Sequence, residues 1–336
     1  MTRPSIKSRR LWLAICGGLL LPLWLALGFH HDSSRDYSPI VGQHVAKADQ
    51  VYTLRNGKLA IEIQTMPSDF LKEFGPRFDQ TAVLRSARVD GKNVLGKWGM
   101  PDEFGIDGIG VLGYEQAQPG EYFIKIGVGL LERTEPNAYQ FFGRYPIHHA
   151  FETQVEKSDN RLKVVQETSG KTAWAYRYEK AYQLIEGEGL KISYQLTNRS
   201  NQSIQFNHYN HHWFRSEHAP IQAGDWVEVG FPIPQHSSSF ETHGRKLRLG
   251  APPSEQAPHY LAIDSAATDL TENHFTLYLN NRAVVFYQAD FSPIRFAAYA
   301  VPDGFCPEYF FQRTLAAGET ATWSASYDFT PAQPTE

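Results

Sequence analysis

Two dipeptides, Asn56-Gly57 and Asp90-Gly91, do most to limit what this chain can fold into. Each separates two short aliphatic and β-branched runs: Val51–Arg55 from Leu59–Ile63, and Val83–Val89 from Val94-Leu95. Asn-Gly and Asp-Gly accept the positive φ angles of a tight hairpin turn, so both predict antiparallel pairing. Similar short runs recur at Phe123–Val128, Arg161–Glu167, Thr172–Glu179, Ala181–Ile185, Leu190–Thr197, Phe275–Leu279, Ala283–Tyr287, Arg295–Ala300 and Thr320–Asp328. No long stretch carries the 3.6-residue apolar spacing of an amphipathic helix, and no internal repeat is present. The expectation is a single all-β domain, one large antiparallel sandwich over residues 49–332. Residues 97–121 and 215–260 read as loops, and function is expected on loops and on one concave face.

The N-terminus has a different character. Lys7, Arg9 and Arg10 precede an apolar run from Leu11 to Phe29, and its length of about 19 residues is enough to span a bilayer. Pro22 lies where signal peptides break their helix, and Ala26-Leu27-Gly28 is a small-x-small cleavage candidate. Ser8–Leu13 resembles a twin-arginine export signal. Residues 1–28 therefore read as a signal peptide or a membrane anchor, and residues 29–48 as a linker. Export to the periplasm or cell envelope is favoured, with membrane attachment through this segment as the alternative. The leader holds four cations and no acid, so its removal takes the formal net charge from −4 to −8. An acidic protein offers no electrostatic basis for a nucleic-acid partner. The cysteines are Cys16, in the leader, and Cys306, which excludes a disulfide framework inside the folded domain.

Chemistry concentrates in Phe206–Phe214, where three histidines and two asparagines alternate with aromatics and no side chain of fixed charge occurs. The run follows the strand-like Ile192–Asn198 and the turn residues Arg199-Ser200-Asn201, so it is expected as the return strand of a hairpin. Period-two alternation turns Ile204 and Phe206 to a core and places Gln205, Asn207, Tyr209, His211 and Trp213 on the opposite face. That polar and aromatic face suits a sugar, whose ring stacks on aromatics while its hydroxyls take hydrogen bonds. Three readings of the histidines are open: an ordinary strand, a metal site, or a proton donor and acceptor near neutral pH. His211 and His212 point to opposite faces of a regular strand, which argues against a shared metal.

A second cluster runs from Val301 to Gln312. Asp303-Gly304 is a turn, and Pro307 holds the chain extended before Glu308. Glu308 is an acid among aromatic and apolar neighbours, where burial moves a carboxyl toward neutrality and makes it a usable base. An exposed strand-edge position is the plain alternative. Cys306 reads as a small buried hydrophobe rather than a nucleophile, since no cationic cluster adjoins it.

These two clusters resemble the galactose mutarotase (aldose 1-epimerase)-like superfamily. Tyr209–Phe214 is similar to a Tyr-Asn-His-x-aromatic-Phe subgroup pattern, and Phe305–Glu308 to the segment bearing the catalytic glutamate. Arg77–Asp79, Lys125–Gly129 and Leu315–Thr320 match further segments in the right order. The resemblance implies a β-supersandwich with an open sugar cleft and a reaction that interconverts sugar anomers. Glu308 would take the proton of the C1 hydroxyl and His211 would protonate the ring oxygen, with no metal or organic cofactor. Arg77, Tyr209, Asn210 and Trp213 would bind the sugar. Residues 78–130 contain no counterpart of the second histidine usual in sugar mutarotases; His148 and His149 come next downstream, and Asp225 is a candidate for fixing hydroxyls. A non-catalytic carbohydrate-binding envelope protein and a polysaccharide-processing enzyme are alternative readings. Ring opening predicts carboxylate and imidazole facing one cleft about 5–8 Å apart, with the sugar between them.

Overall fold

The computed structural model describes residues 44–168, 173–217, 219–235 and 239–331. Strand follows strand, and the seven-residue Ser68–Phe74 is the one α-helix among the described residues. None of their helices is long and apolar enough to cross a membrane. The expected leader, residues 1–28, lies outside the described residues, as does most of the expected linker. His44–Val45, at the end of that linker, instead forms a short edge strand paired with Thr153–Lys157.

The two hairpins form where their turn chemistry places them. Gln50–Asn56 pairs with Leu59–Thr65 around Gly57-Lys58, with Gly57 at φ 53. Val83–Val89 returns as Lys92–Asn93 through Asp90 (φ 49) and Gly91 (φ 82), the two positive angles of a type I′ turn. The return strand is shorter than expected, and Leu95 beyond it bridges Phe214.

Two sheets position the site. The larger has eleven strands, with Tyr176–Ile185, Gly189–Asn198, Thr320–Asp328, Arg282–Ala289 and His274–Leu279 adjacent in that order. The smaller has five, in the order His259–Asp264, Arg295–Val301, Gly304–Leu315, Ile204–Asn210, Asp102–Phe104. Their facing side chains form the core: Trp323 and Tyr194 of the larger sheet pack on His208 of the smaller, with centroids 5.2 and 4.7 Å away. Every pairing is antiparallel, as the all-β sandwich requires.

Three expectations need correction. Gly189–Asn198 and Ile204–Asn210 do not form a hairpin; the first pairs within the large sheet and the second within the small one. Asn198 makes the connection a corner. Its buried amide donates to the Gln202, Leu315 and Ala316 carbonyls, while its Oδ1 accepts from the Ser200 backbone and hydroxyl. The turn signal was real, but a side chain aimed at a third strand redirects the chain between sheets. The 97–121 and 215–260 loops also contain short strands, including Asp102–Phe104 and Trp226–Val229, too brief for alternation to reveal. Thr172–Glu179 and Ala181–Ile185 are not two strands; the described part is one, Tyr176–Ile185.

Candidate active site

His211 lies just past the end of the Ile204–Asn210 strand, where the chain leaves the sheet and lies along the 96–101 loop. The His211 N–H donates to the Pro101 carbonyl (2.8 Å), and the Gly96 N–H donates to the Trp213 carbonyl (2.7 Å). Glu308 comes from the neighbouring Gly304–Leu315 strand, opposite Ala297, and shares its strand face with Cys306 and Phe310. Arg77 follows the short helix, whose end is turned by Gly75 at φ 61. Three segments distant in sequence thus deliver an imidazole, a carboxylate and a guanidinium to one cleft of about 490 Å³.

The imidazole Nδ1 of His211 contacts Oε1 of Glu308 directly. The two groups do face one cleft, but the expected gap between them is absent: they form a pair, not opposite walls. His211 stacks on Phe78 (5.9 Å, 18°) and meets Trp213 edge-on (4.9 Å). Burial pushes the Glu308 carboxyl above its ordinary value; His211 and then Arg77 pull against that rise, and Glu103 adds to it. A carboxylate so placed holds a proton more readily than one in water, which suits a group that must accept one and return it.

Arg77 is held at the cleft wall. Its Nε donates to Glu103 Oε2 (2.9 Å) and its Nη2 to the Tyr209 hydroxyl (3.2 Å), while Tyr209 donates to the same Glu103 oxygen (2.6 Å). The guanidinium lies over the rings of Phe78 and Phe141 at 4.5 and 4.6 Å. Burial opposes its charge, but Tyr209 and Glu103 more than offset this and raise the Arg77 pKa. Glu103 Oε1 has no partner.

Trp213 forms another wall. Its indole packs against Gly304 and Gly96, where an added Cβ would come within 2.7 and 2.3 Å of it, and its Nε1 donates to Asp303 Oδ2 (3.2 Å). Phe74, Trp98, Tyr260, Tyr299 and Phe310 complete an aromatic enclosure with Pro101, Ile106 and Ala297. Tyr209, His211 and Trp213 therefore share the cleft face that alternation assigns them. Asn207, expected beside them, bonds back to the 105–107 loop, and Gln205 is exposed.

Asn210 is placed differently from its expected sugar-binding position. With His208 and His212 it points inward, where its amide meets Asp102 and the Tyr194 hydroxyl. Asp102 is the hub there: it takes Lys180 (2.9 Å), Tyr194 (2.8 Å) and His208 (3.1 Å), and Lys180 also bonds Asp79 (2.7 Å). Burial works against the charge of Asp102, yet Lys180 and His208 bring its pKa down to about 2. This fully bonded network braces the floor under the cleft. His212 donates from Nδ1 to the Pro307 carbonyl (2.5 Å) and accepts from Tyr327 (2.9 Å).

Asp225 is buried at another point of the large sheet, bonded to the Asn280 and Gln222 N–H groups, and does not line the cleft. His148 and His149 are exposed on a separate strand and do not replace the second histidine. Donor atoms of His211, Cys306 and Glu308 lie within 4.8 Å of one another. Burial, ahead of the Glu308 charge, raises the Cys306 thiol pKa and keeps it a weak ligand. Sequence reasoning missed Glu103, Phe78, Trp98 and Phe141. The aperiodic 97–121 stretch pointed to two of them, but their chemistry depends on contacts across the chain.

No protein-family model and no curated protein match the sequence. Solved structures do. A candidate aldose 1-epimerase of Escherichia coli K12 aligns with TM-score 0.51 and 14% identity over 83% of this chain and 99% of its own. A galactose mutarotase-like protein of Lactobacillus casei aligns with TM-score 0.51 and 16% identity, again over 83% and 99%. The Slr1438 protein of Synechocystis sp. PCC 6803 gives TM-score 0.52 and 13% identity over 87% and 98%. The chain has the fold of the galactose mutarotase-like proteins.

Proposed function

We propose that this protein is a sugar isomerase of the aldose 1-epimerase type, carrying Glu308 as base and His211 as acid. The observation that supports it is the His211–Glu308 pair, buried on the floor of an aromatic cleft. In an aldose the C1 hydroxyl and the ring oxygen are bonded to one carbon, so two groups in contact can reach both once the sugar slides against them. Anionic Glu308 takes the hydroxyl proton while protonated His211 gives its proton to the ring oxygen; the C1–O bond of the ring breaks and a carbonyl forms. Rotation about C1–C2 and the reverse transfers close the other anomer and restore both groups. Arg77 and Trp213 orient the ring, the first by hydrogen bonding and the second by stacking.

Each transfer contributes about 10²–10⁴-fold. Glu308→Gln keeps the shape and removes the base. It should slow anomer exchange, followed by NMR, about 10²-fold or more, while sugar binding measured by tryptophan fluorescence persists. A second reading, a non-catalytic carbohydrate-binding protein, draws on the closed His211–Glu308 contact, in which each group already satisfies the other. Wild-type binding without faster exchange selects it. The basic-then-apolar leader supports export of the protein to the cell envelope.

A further inference from the structure

We infer that the sugar taken by this cleft is uncharged and poor in free hydroxyls away from its anomeric carbon, as in a deoxy or O-acylated aldose. The inference rests on the reading of the cleft as a sugar site and specifies its substrate class. Of the fifteen residues lining the cleft, nine are aromatic, and Pro101, Ile106 and Ala297 offer no side-chain polar atom. No Asn, Gln, Asp, Ser, Thr or Lys is among them. Sugar sites need such groups because each hydroxyl taken from water without a partner costs free energy.

The polar atoms that do face the cleft are mostly committed. Tyr209 donates to Glu103 and accepts from Arg77; Arg77 spends Nε and Nη2 on Glu103 and Tyr209. His211 and Glu308 serve the anomeric carbon. Arg77 Nη1, the Trp98 indole N–H and the hydroxyls of Tyr260 and Tyr299 remain for everything else. Of these only the tyrosine hydroxyls can accept, too few for the ring and C6 hydroxyl protons of an ordinary aldohexose. Methyl, methylene or acyl groups in those positions would instead meet the rings of Phe74, Phe141 and Trp98.

Charge points the same way. Arg77 is the sole Arg or Lys lining the cleft among the described residues, and Glu103, fully buried with one oxygen unpartnered, already offsets it, as Glu308 offsets a protonated His211. A phosphate or carboxylate on the substrate would approach Glu308 with Glu103 behind it, and no free cation would receive it.

The test uses matched sugars: 6-deoxygalactose, galactose and galactose 6-phosphate, and the same three in the glucose series. Binding is read from the fluorescence of Trp98 and Trp213, and catalysis from anomer exchange by NMR. In at least one series the 6-deoxy sugar should bind roughly tenfold tighter than its parent, the effect of one unpaired buried hydroxyl, and the 6-phosphate should show no saturable binding. If that binding order holds with no exchange for any sugar, the substrate class stands and the isomerase reading falls. If exchange is accelerated but the parent sugar binds as tightly as the deoxy sugar in both series, the isomerase reading stands and this inference is overturned. Saturable binding of either 6-phosphate overturns it as well, and binding of none of the six overturns both.

Discussion

Replacing each of the adjacent histidines by asparagine should separate chemistry from stability. His212 is 1% exposed and enclosed by Phe214, Phe275, Tyr287 and Tyr327. Burial lowers its pKa from 6.5 to about 3, against the smaller opposing effect of the Pro307 carbonyl. The folded value lies below the unfolded one, so the unfolded chain takes up the proton first as pH falls. The stability this residue confers is complete above pH 6.5 and is lost between there and about pH 3. Between pH 7 and pH 5 the loss is about 2 kcal/mol, from about 1.36 kcal/mol per pH unit below the unfolded pKa. Urea denaturation of wild type and His212→Asn at both pH values reads it directly. The variant should be less stable at pH 7 by about 2–4 kcal/mol, from lost packing and hydrogen bonds, and its stability should fall by about 2 kcal/mol less on going to pH 5. His211→Asn should lose about 10²-fold in anomer exchange. Identical slopes for wild type and His212→Asn would refute the argument from burial. A larger rate loss from His212→Asn than from His211→Asn would refute the assignment of the two faces.

Three further outcomes are expected. Gly304→Ala puts a methyl group 2.7 Å from the Trp213 indole; the ring must shift, so sugar binding should weaken several-fold with a change in tryptophan emission, and unchanged binding would show that Trp213 is not held there for the ligand. Arg77→Ala strands the buried Glu103 carboxylate and should cost about 3–5 kcal/mol in denaturant unfolding; a loss under about 1 kcal/mol would mean that the pair behaves as a surface ion pair. Sequencing the N-terminus of protein from envelope fractions should find a start near Phe29, whereas intact Met1–Gly28 in the membrane pellet favours the anchor.

The local decisions of this fold were legible in the chain itself. Asn56-Gly57 and Asp90-Gly91 specify their hairpins because positive φ is a property of one or two residues, needing no distant partner. Alternation likewise separated His211 from His212, since period two follows from backbone geometry alone. The same rule places Asn210 with His212, and the structure sides with the rule over the motif that put Asn210 on the sugar. The surroundings of Glu308 were also readable, because its apolar neighbours are adjacent in sequence. Everything that required two separate segments to meet was decided by the tertiary structure. Asn198 looked like half of a hairpin and became a corner, because its amide reaches carbonyls at Leu315 and Ala316. Glu103 gained its meaning from Arg77 and Tyr209, and Asp102 from Lys180 and His208. His211 and Glu308 could be matched to roles in the sequence, but their direct contact could not be read there. It depends on the stagger of two neighbouring strands, which sets His211 beside Glu308, 97 positions further along the chain, and that stagger is set by the packing of both sheets rather than by any residue in either motif.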